Sequence, residues 1–407
     1  MHSLKSEPAI VMTHPAQPTA SKEFIAMMAV LMSVVAISID AMLPALGIIG
    51  KAMGVTHPNQ AQYLISCIFL GMAIGQLICG PLSDAIGRKN ILYGSISLYL
   101  VGSVMCLLAR SIEVMLLGRF IQGLGVAGPN VACISIVRDR FSGRPMARMM
   151  SLVMMIFIMV PVIAPAIGQS LMLVSSWHAI FVLYIVYALA VLLWITLRLP
   201  ETLLPENRIP FRIGTILHSA KRVVTNRRTI IYTICMGFTF GAMIGDLNSA
   251  QQIFQVQFGV GEMFVVYFGL QALAFGAASL VNARMVERLG MRYICLHALS
   301  VMSGTSLLFL ALHAIIPITF WWFFFYGVIL LFCIGLLFGN LNALALEPMG
   351  DIAGTAAAII GATSISLAIP LGTLIGQLYD GTLIPLASGF ALLGLGALGL
   401  MLWVEKR

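Results

Sequence analysis

Gly80-Pro81-Leu82-Ser83-Asp84-Ala85-Ile86-Gly87-Arg88-Lys89 is a short polar break between two long apolar runs, and it returns later in the chain. Ala283-Arg284-Met285-Val286-Glu287-Arg288-Leu289-Gly290-Met291-Arg292 repeats it at an offset of 203 residues, matching Asp84 to Glu287, Gly87 to Gly290 and Lys89 to Arg292. Acid, glycine and base keep their order. The chain therefore reads as two copies of one unit.

The surroundings of both breaks are greasy. Of 407 residues, 60% are hydrophobic and 9% charged, and the mean hydropathy is +1.00. A soluble domain carries about a quarter charged residues, so most of this surface is expected to meet lipid. Crossing a roughly 30 Å hydrocarbon core takes about 20 apolar residues. Runs of that length fall near 24–49, 61–82, 91–109, 113–137, 146–174, 177–199, 229–252, 261–283, 293–314, 319–340, 352–378 and 382–404. They are continuous and do not alternate every second residue, which excludes a β-barrel. The expected architecture is all-α, with twelve transmembrane helices in two six-helix bundles. Residues 1–23 form a tail, 24–199 the first bundle, 200–228 a central loop, 229–404 the second bundle and 405–407 a second tail. Within the loop, Ile213, Ile216, Leu217 and Lys221 recur at helical spacing. That stretch is either a helix lying along the inner membrane face or a solvated linker.

The net charge of +8 raises the question of nucleic acid, and the distribution answers it. With the N-terminus inside, only Lys51 and Arg110 fall in outer segments and Arg119 falls inside a span, while the other Lys and Arg flank inner ends. This is the positive-inside bias, and it predicts a multi-pass protein with both termini cytoplasmic. A nucleic-acid face would be a contiguous basic patch on a soluble domain. The first apolar run exceeds the 7–15 residues of a signal-peptide core and is expected to be a retained span. The seven cysteines all lie in apolar stretches and read as small buried hydrophobes. The seven histidines are scattered, and no metal-ligand spacing is present.

Residues 80–89 resemble the loop 2–3 signature of the major facilitator superfamily, G-x-L-x-D-x-x-G-R-K, met here by Gly80, Leu82, Asp84, Gly87, Arg88 and Lys89. Leu116-Leu117-Gly118-Arg119-Phe120-Ile121-Gln122-Gly123-Leu124-Gly125 is similar to its span-4 signature, and Asp40-Ala41-Met42-Leu43-Pro44 to its span-1 pattern D-x-x-L-P. Val137-Arg138-Asp139, Trp177-His178-Ala179-Ile180-Phe181 and Pro200-Glu201-Thr202 add to the resemblance, which points to the drug:proton antiporter branch of bicyclomycin-resistance type. Span 5 departs from that branch: Ala164 and Gln169 stand where its signature has glycines. Asp246 departs too, standing where the family has an uncharged residue. The resemblance implies two parallel six-span repeats about an axis along the membrane normal. It also implies a charge cluster of Asp84, Arg88 and Asp139 at the inner face. Asp84 is further expected to cap the N-terminus of span 11, whose dipole favours an anion, and so to latch an outward-open state. Gly80 is expected to let helices approach and Gly87 to permit a tight turn.

Three charges fall well inside spans: Asp40, Arg119 and Asp246. Each costs about 2.5–3.5 kcal/mol at a helix centre, so each is expected to be paired or functional. At about 1.5 Å per residue, Asp40 lies about 14 Å and the other two about 9 Å from the outer ends of their spans, where one cavity can hold all three. Asp40 is the expected proton carrier, with a fixed Asp40–Arg119 pair as the alternative. Shifted by the repeat offset, Asp40 lands one helical turn short of Asp246 on the same face. Asp246 is therefore either a second titrating group, a counter-charge for cationic substrates, or an idle group in an outer vestibule. Gln122 and Gly123 complete the span-4 motif. Pro161, Pro165 and Gly168 bend span 5, either as a gating segment against span 8 or as plain packing.

The function these features support is proton-coupled export of small lipophilic or cationic compounds by a monomer in a bacterial inner membrane. No cofactor is expected: the chain lacks a G-x-x-x-x-G-K-[ST] nucleotide loop, which leaves a proton gradient as the energy source. A proton-coupled importer on the same fold is the first alternative. A membrane-embedded enzyme is the second, with His178 its nearest candidate group.

Overall fold

The computed structural model describes residues 21–211 and 213–405. Most of the N-terminal tail, Arg212 of the central loop and residues 406–407 lie outside the described residues. Among the described residues, twelve helices are long and apolar enough to cross a membrane. Numbered as spans 1–12, they are Lys22–Ala52, Pro58–Ile86, Arg88–Leu108, Ile112–Arg140, Arg148–Val174, His178–Arg198, Arg227–Gln257, Gly261–Leu289, Met291–His313, Phe320–Gly350, Gly354–Gln377 and Ile384–Val404. Several run beyond their apolar stretches. Span 2 continues through Pro81 to Ile86, because hydropathy marks where lipid ends and not where the hydrogen-bond ladder ends.

Both copies of the repeated break end a helix the same way. Gly87 (φ +103°) stops span 2 and Gly290 (φ +79°) stops span 8, and each heads the next helix. Side chains rarely adopt this backbone conformation, which explains the glycine in both copies. Packing repeats as well. Span 1 lies on span 5, span 2 on 4, span 3 on 4 and span 3 on 6; adding six to every number gives the pairs 7–11, 8–10, 9–10 and 9–12, all present. The halves meet where span 2 crosses span 11 and span 5 crosses span 8.

In a bilayer, helices gain little from excluding water and associate through close contact of small residues. Gly123 shows this. A Cβ there would lie 2.9 Å from the Cα of Gly71 and would overlap the Ile68 carbonyl, so spans 2 and 4 touch backbone to backbone. The linker between the halves contains a helix, Ile213–Thr225, which docks on spans 7 and 11 with Val223 buried. It is thus helical and packed, not a merely solvated connection. "Inner" below means the side of this linker.

Gly123→Ala is expected to destabilise the protein by about 1–3 kcal/mol through overpacking, read as a lower midpoint of thermal unfolding in detergent. Gly94→Ala, with nothing within 4 Å of the added carbon, is expected to leave that midpoint unchanged.

Candidate functional site

Span 1 is broken where the site begins. Its first segment ends at Asp40, a short 3-10 turn covers Leu43–Ala45, and the helix resumes at Leu46–Ala52. Pro44 has no N–H to offer the carbonyl four residues back, and the Met42 N–H turns to Ile39 O at 3.3 Å. That leaves the Ser38 carbonyl without its ordinary helical donor. Arg119 supplies one: its guanidinium donates to Ser38 O (2.9 Å), Leu64 O (3.1 Å) and Gln122 Oε1 (2.8 Å). The Tyr184 hydroxyl donates to the same Ser38 carbonyl at 3.2 Å, and Gln122 Nε2 donates to Ser103 Oγ at 2.8 Å. Arg119 is 0% exposed. It therefore sits in the packed wall of the first half, bonded to two main-chain carbonyls and an amide and to neither acid. The reason is geometric, because a planar fork of donors fits three fixed acceptors.

The two acids are placed differently. Asp40 is 6% and Asp246 9% exposed, and neither has a hydrogen-bond or ion-pair partner among the described residues. The alternative of a fixed Asp40–Arg119 pair is not formed. Asp246 lies on span 7 shortly before a π-helical stretch, Gln252–Gln257, a helical defect common at functional sites. Each half thus buries one unpartnered carboxylate next to an interruption of its first helix. Gly168 of span 5 packs directly on the Ala41 carbonyl beside Asp40. Around Pro161 and Pro165, which lie inside the continuous helix Gly143–Val174, Ile158 and Val162 meet Gly276 and Gly269 of span 8, so span 5 lies at the boundary between halves.

At the inner face the structure brings Asp84, Arg88 and Asp139 together. Arg88 is buried, ion-paired to Asp84 and, at 2.9 Å, to Asp139, and it donates to Ser83 Oγ at 3.0 Å. Gly80 lies where span 2 approaches span 11, with Ala358 3.5 Å from a Cβ placed on it. Asp84 does not cap span 11, whose first turn receives no side-chain cap; a guanidinium one turn away on its own chain takes the carboxylate instead. Arg138 packs against Gly354 at that end. The cluster therefore ties the first half to itself and does not latch it to the second.

Glu201, which its sequence context leaves without a role, has one in the fold. Its carboxylate accepts from the backbone N–H groups of Arg88 (3.0 Å) and Lys89 (3.1 Å), capping span 3, and from Thr202 and Leu203. Partial burial works against the charge, yet these four donors together hold the Glu201 pKa below the ordinary glutamate value. Ser38, Tyr99 and Tyr184 were also missed: hydroxyl groups in apolar helices give no signal until the fold brings them together, here with Tyr184 on the Ser38 carbonyl and Tyr99 on the Ser38 hydroxyl at 2.8 Å. His178, stacked on Trp177, has a partner after all in the Ser176 hydroxyl at 3.1 Å, but both are exposed and no acid joins them. No metal-binding cluster occurs among the described residues.

Residues 24–373 match the family described as Major Facilitator Superfamily. The chain belongs to this superfamily. It is 29% identical to an uncharacterized MFS-type transporter, YdgK, of Bacillus subtilis, across 86% of this chain and 88% of that one. It is 27% identical to a bicyclomycin resistance protein homolog of Haemophilus influenzae, across 89% and 91%. A chloramphenicol resistance protein, CraA, of Acinetobacter baumannii is 27% identical across 67% and 65%. Among solved structures, the xylose transporter XylE from E. coli superposes with a TM-score of 0.70 at 12% identity, covering 94% of this chain and 98% of that one, which establishes the shared major facilitator fold.

Arg119→Lys is expected to lower the unfolding midpoint and the yield of folded protein. An ammonium cannot reach three diverging acceptors, and each buried acceptor left unpaired costs about 1–3 kcal/mol. Because the Glu201 pKa is depressed on folding, its contribution is present above the ordinary glutamate value and lost as pH falls through the folded value. Glu201→Gln should therefore lower stability at neutral pH and flatten the acid limb of a thermal-stability profile.

Proposed function

We propose that this transporter exports small lipophilic or cationic compounds across the bacterial inner membrane in exchange for protons. The observation that carries this is the pair of buried, unpartnered carboxylates, Asp40 in the first half and Asp246 in the second. An ionised carboxylate without a partner in an apolar bundle is costly, and it is relieved by binding either a proton or a cation. The two ligands then compete for one group. With the site open to the cytoplasm, substrate binds as the proton leaves; with it open outside, a proton entering down its gradient displaces the substrate. Alternation of the two six-span halves about the site supplies the change of access. A neutral compound is carried on the same scheme when protonation changes which side is open.

Arg119 enters this scheme as a fixed part. Its charge is spent on the Ser38 and Leu64 carbonyls, so it holds the broken span 1 in place and leaves Asp40 free to titrate. The resistance names of two relatives support an efflux direction, and the positive-inside charge bias supports cytoplasmic termini. The chain works as a monomer, with the proton gradient and no cofactor as its energy source.

In an efflux-deficient host, Asp40→Asn should abolish resistance to every exported compound while protein still reaches the membrane. Asp246→Asn should reduce resistance to cationic compounds by roughly ten-fold, the scale of one lost charge interaction of about 1.4 kcal/mol, and spare neutral ones. In proteoliposomes, an imposed proton gradient should drive a fluorescent lipophilic cation against its own gradient. Gradient-independent flux, or full resistance with Asp40→Asn, would overturn the proposal. Accumulation in the direction of proton flow would assign import.

A further inference from the structure

Four side-chain amides form a closed ring across the outer end of the molecule. Asn59 and Gln62 come from the start of span 2, Gln252 from the π-helical end of span 7, and Gln377 from the end of span 11. Gln252 Nε2 donates to Asn59 Oδ1 at 2.9 Å, and Gln62 Nε2 donates to Gln252 Oε1. Gln377 Nε2 donates to Gln62 Oε1 (3.3 Å) and to the Asn59 carbonyl (2.7 Å). Asn59 Nδ2 returns to the carbonyls of Gln377 (3.0 Å) and Tyr379 (2.8 Å). Every one of these bonds runs between the halves. One layer deeper, Ser66 and Thr373 share a hydrogen bond of 2.7 Å, again from span 2 to span 11.

We propose that this amide ring is the outer gate of the transport cycle, which holds the halves together while the outside is shut and breaks when Asp40 and Asp246 turn outward. The proposal rests on the transport reading and adds to it the residues that set the balance between the two faces. Its chemistry suits a gate. Neutral amides bond with modest net strength, so a few bonds close the end without trapping it. No member titrates. The ionisable groups on the elements around it are Lys51 of span 1, His57 just before span 2, Tyr63 of span 2, Glu262 of span 8, and Tyr379 and Asp380 beyond span 11. Of the last two, Tyr379 donates to Gln257 and Asp380 accepts from Thr382. Proton binding is thereby kept to the buried acids, and the gate responds only to the movement of the halves.

The test reads conformation, not export. Spin labels at Lys51 and Glu262, both exposed and on opposite halves, report the outer separation by paired-label distance measurement. Gln62→Leu and Gln252→Leu each remove two of these bonds and should each raise the outer-open population at least about five-fold, the effect of one hydrogen bond of about 1 kcal/mol. The double variant should fall short of the product of the two, because both remove the same bond. An unchanged distance distribution in a double variant that purifies folded would overturn the gate. As a second arm, Gln62→Cys and Gln252→Cys in a Cys67→Ala background are joined by a short thiol cross-linker. Export should stop on cross-linking and return on reversal, and full-rate export by the cross-linked protein would equally overturn it. Because the distances need no substrate, failure of the gate and failure of the export reading give different results.

Discussion

The bond from the Arg119 guanidinium to the Ser38 carbonyl is the contact on which the site depends. Span 1 breaks inside the apolar layer, where the Ser38 carbonyl, passed over as the Met42 N–H turns to Ile39 O, finds no water, and an arginine there finds none either. Each removes the other's problem. The pairing fixes spans 1, 2 and 4 to one another through Ser38, Leu64 and Gln122, and it does so without using a carboxylate. Asp40, two residues from Ser38, is left as the ionisable group with nothing to neutralise it.

The second half keeps the frame and drops the charge. Ser103 and Ser306 stand at the repeat offset of 203 residues. Ser103 accepts from Gln122 at 2.8 Å, whereas Ser306 pairs with the hydroxyl of Tyr326 at 2.8 Å. Three residues before Tyr326, as Arg119 stands three before Gln122, comes the buried Phe323, and the 203 offset itself puts Trp322 opposite Arg119. The inner clusters diverge likewise: Arg88 is buried with two acids, while Arg292 meets Glu347 at 3.9 Å with both side chains exposed. The first half is braced by charge and the second by rings, among them the stack of Phe309 on Tyr326. Such an unequal pair can still move as two bodies, because neither brace crosses between them.

The fold was legible in the sequence because lipid imposes long-range order on composition: a run of apolar residues long enough to span must be a helix. The repeated Asp84–Gly87–Lys89 pattern then announced the halves, since its glycine is demanded by backbone geometry and not by partners. Within the site, the buried charges were legible one at a time, because each is expensive wherever it points. Their partners were not. Asp40 and Arg119 have opposite charge and similar depth, and sequence alone allowed a pair. What separates them is the Ser38 carbonyl, left without a helical donor as the Met42 N–H turns to Ile39 O, which no spacing rule conveys. The amides at 59, 62, 252 and 377 were silent for a similar reason, since uncharged polar residues at helix ends are ordinary and only the fold gathers them.

Charge and neutrality are sorted by location in this protein, and the sorting follows from what each contact must do. Ion pairs at Arg88 lie within one half, where a strong, desolvated bond is made once and kept. Contacts between halves at the outer end are neutral amides and hydroxyls, whose bonds exchange with water at little net change in free energy when the face opens. Had an ion pair sealed that face, separation would strand charges at the rim of an apolar cleft and tie opening to external salt. With amides there instead, the proposed exchange leaves the balance to the charge state of the acids buried near the helix breaks, Asp40 and Asp246. On that proposal, coupling needs no signal relayed along the surface, because neutralising a carboxylate inside alters the stability of whichever arrangement buries it more deeply.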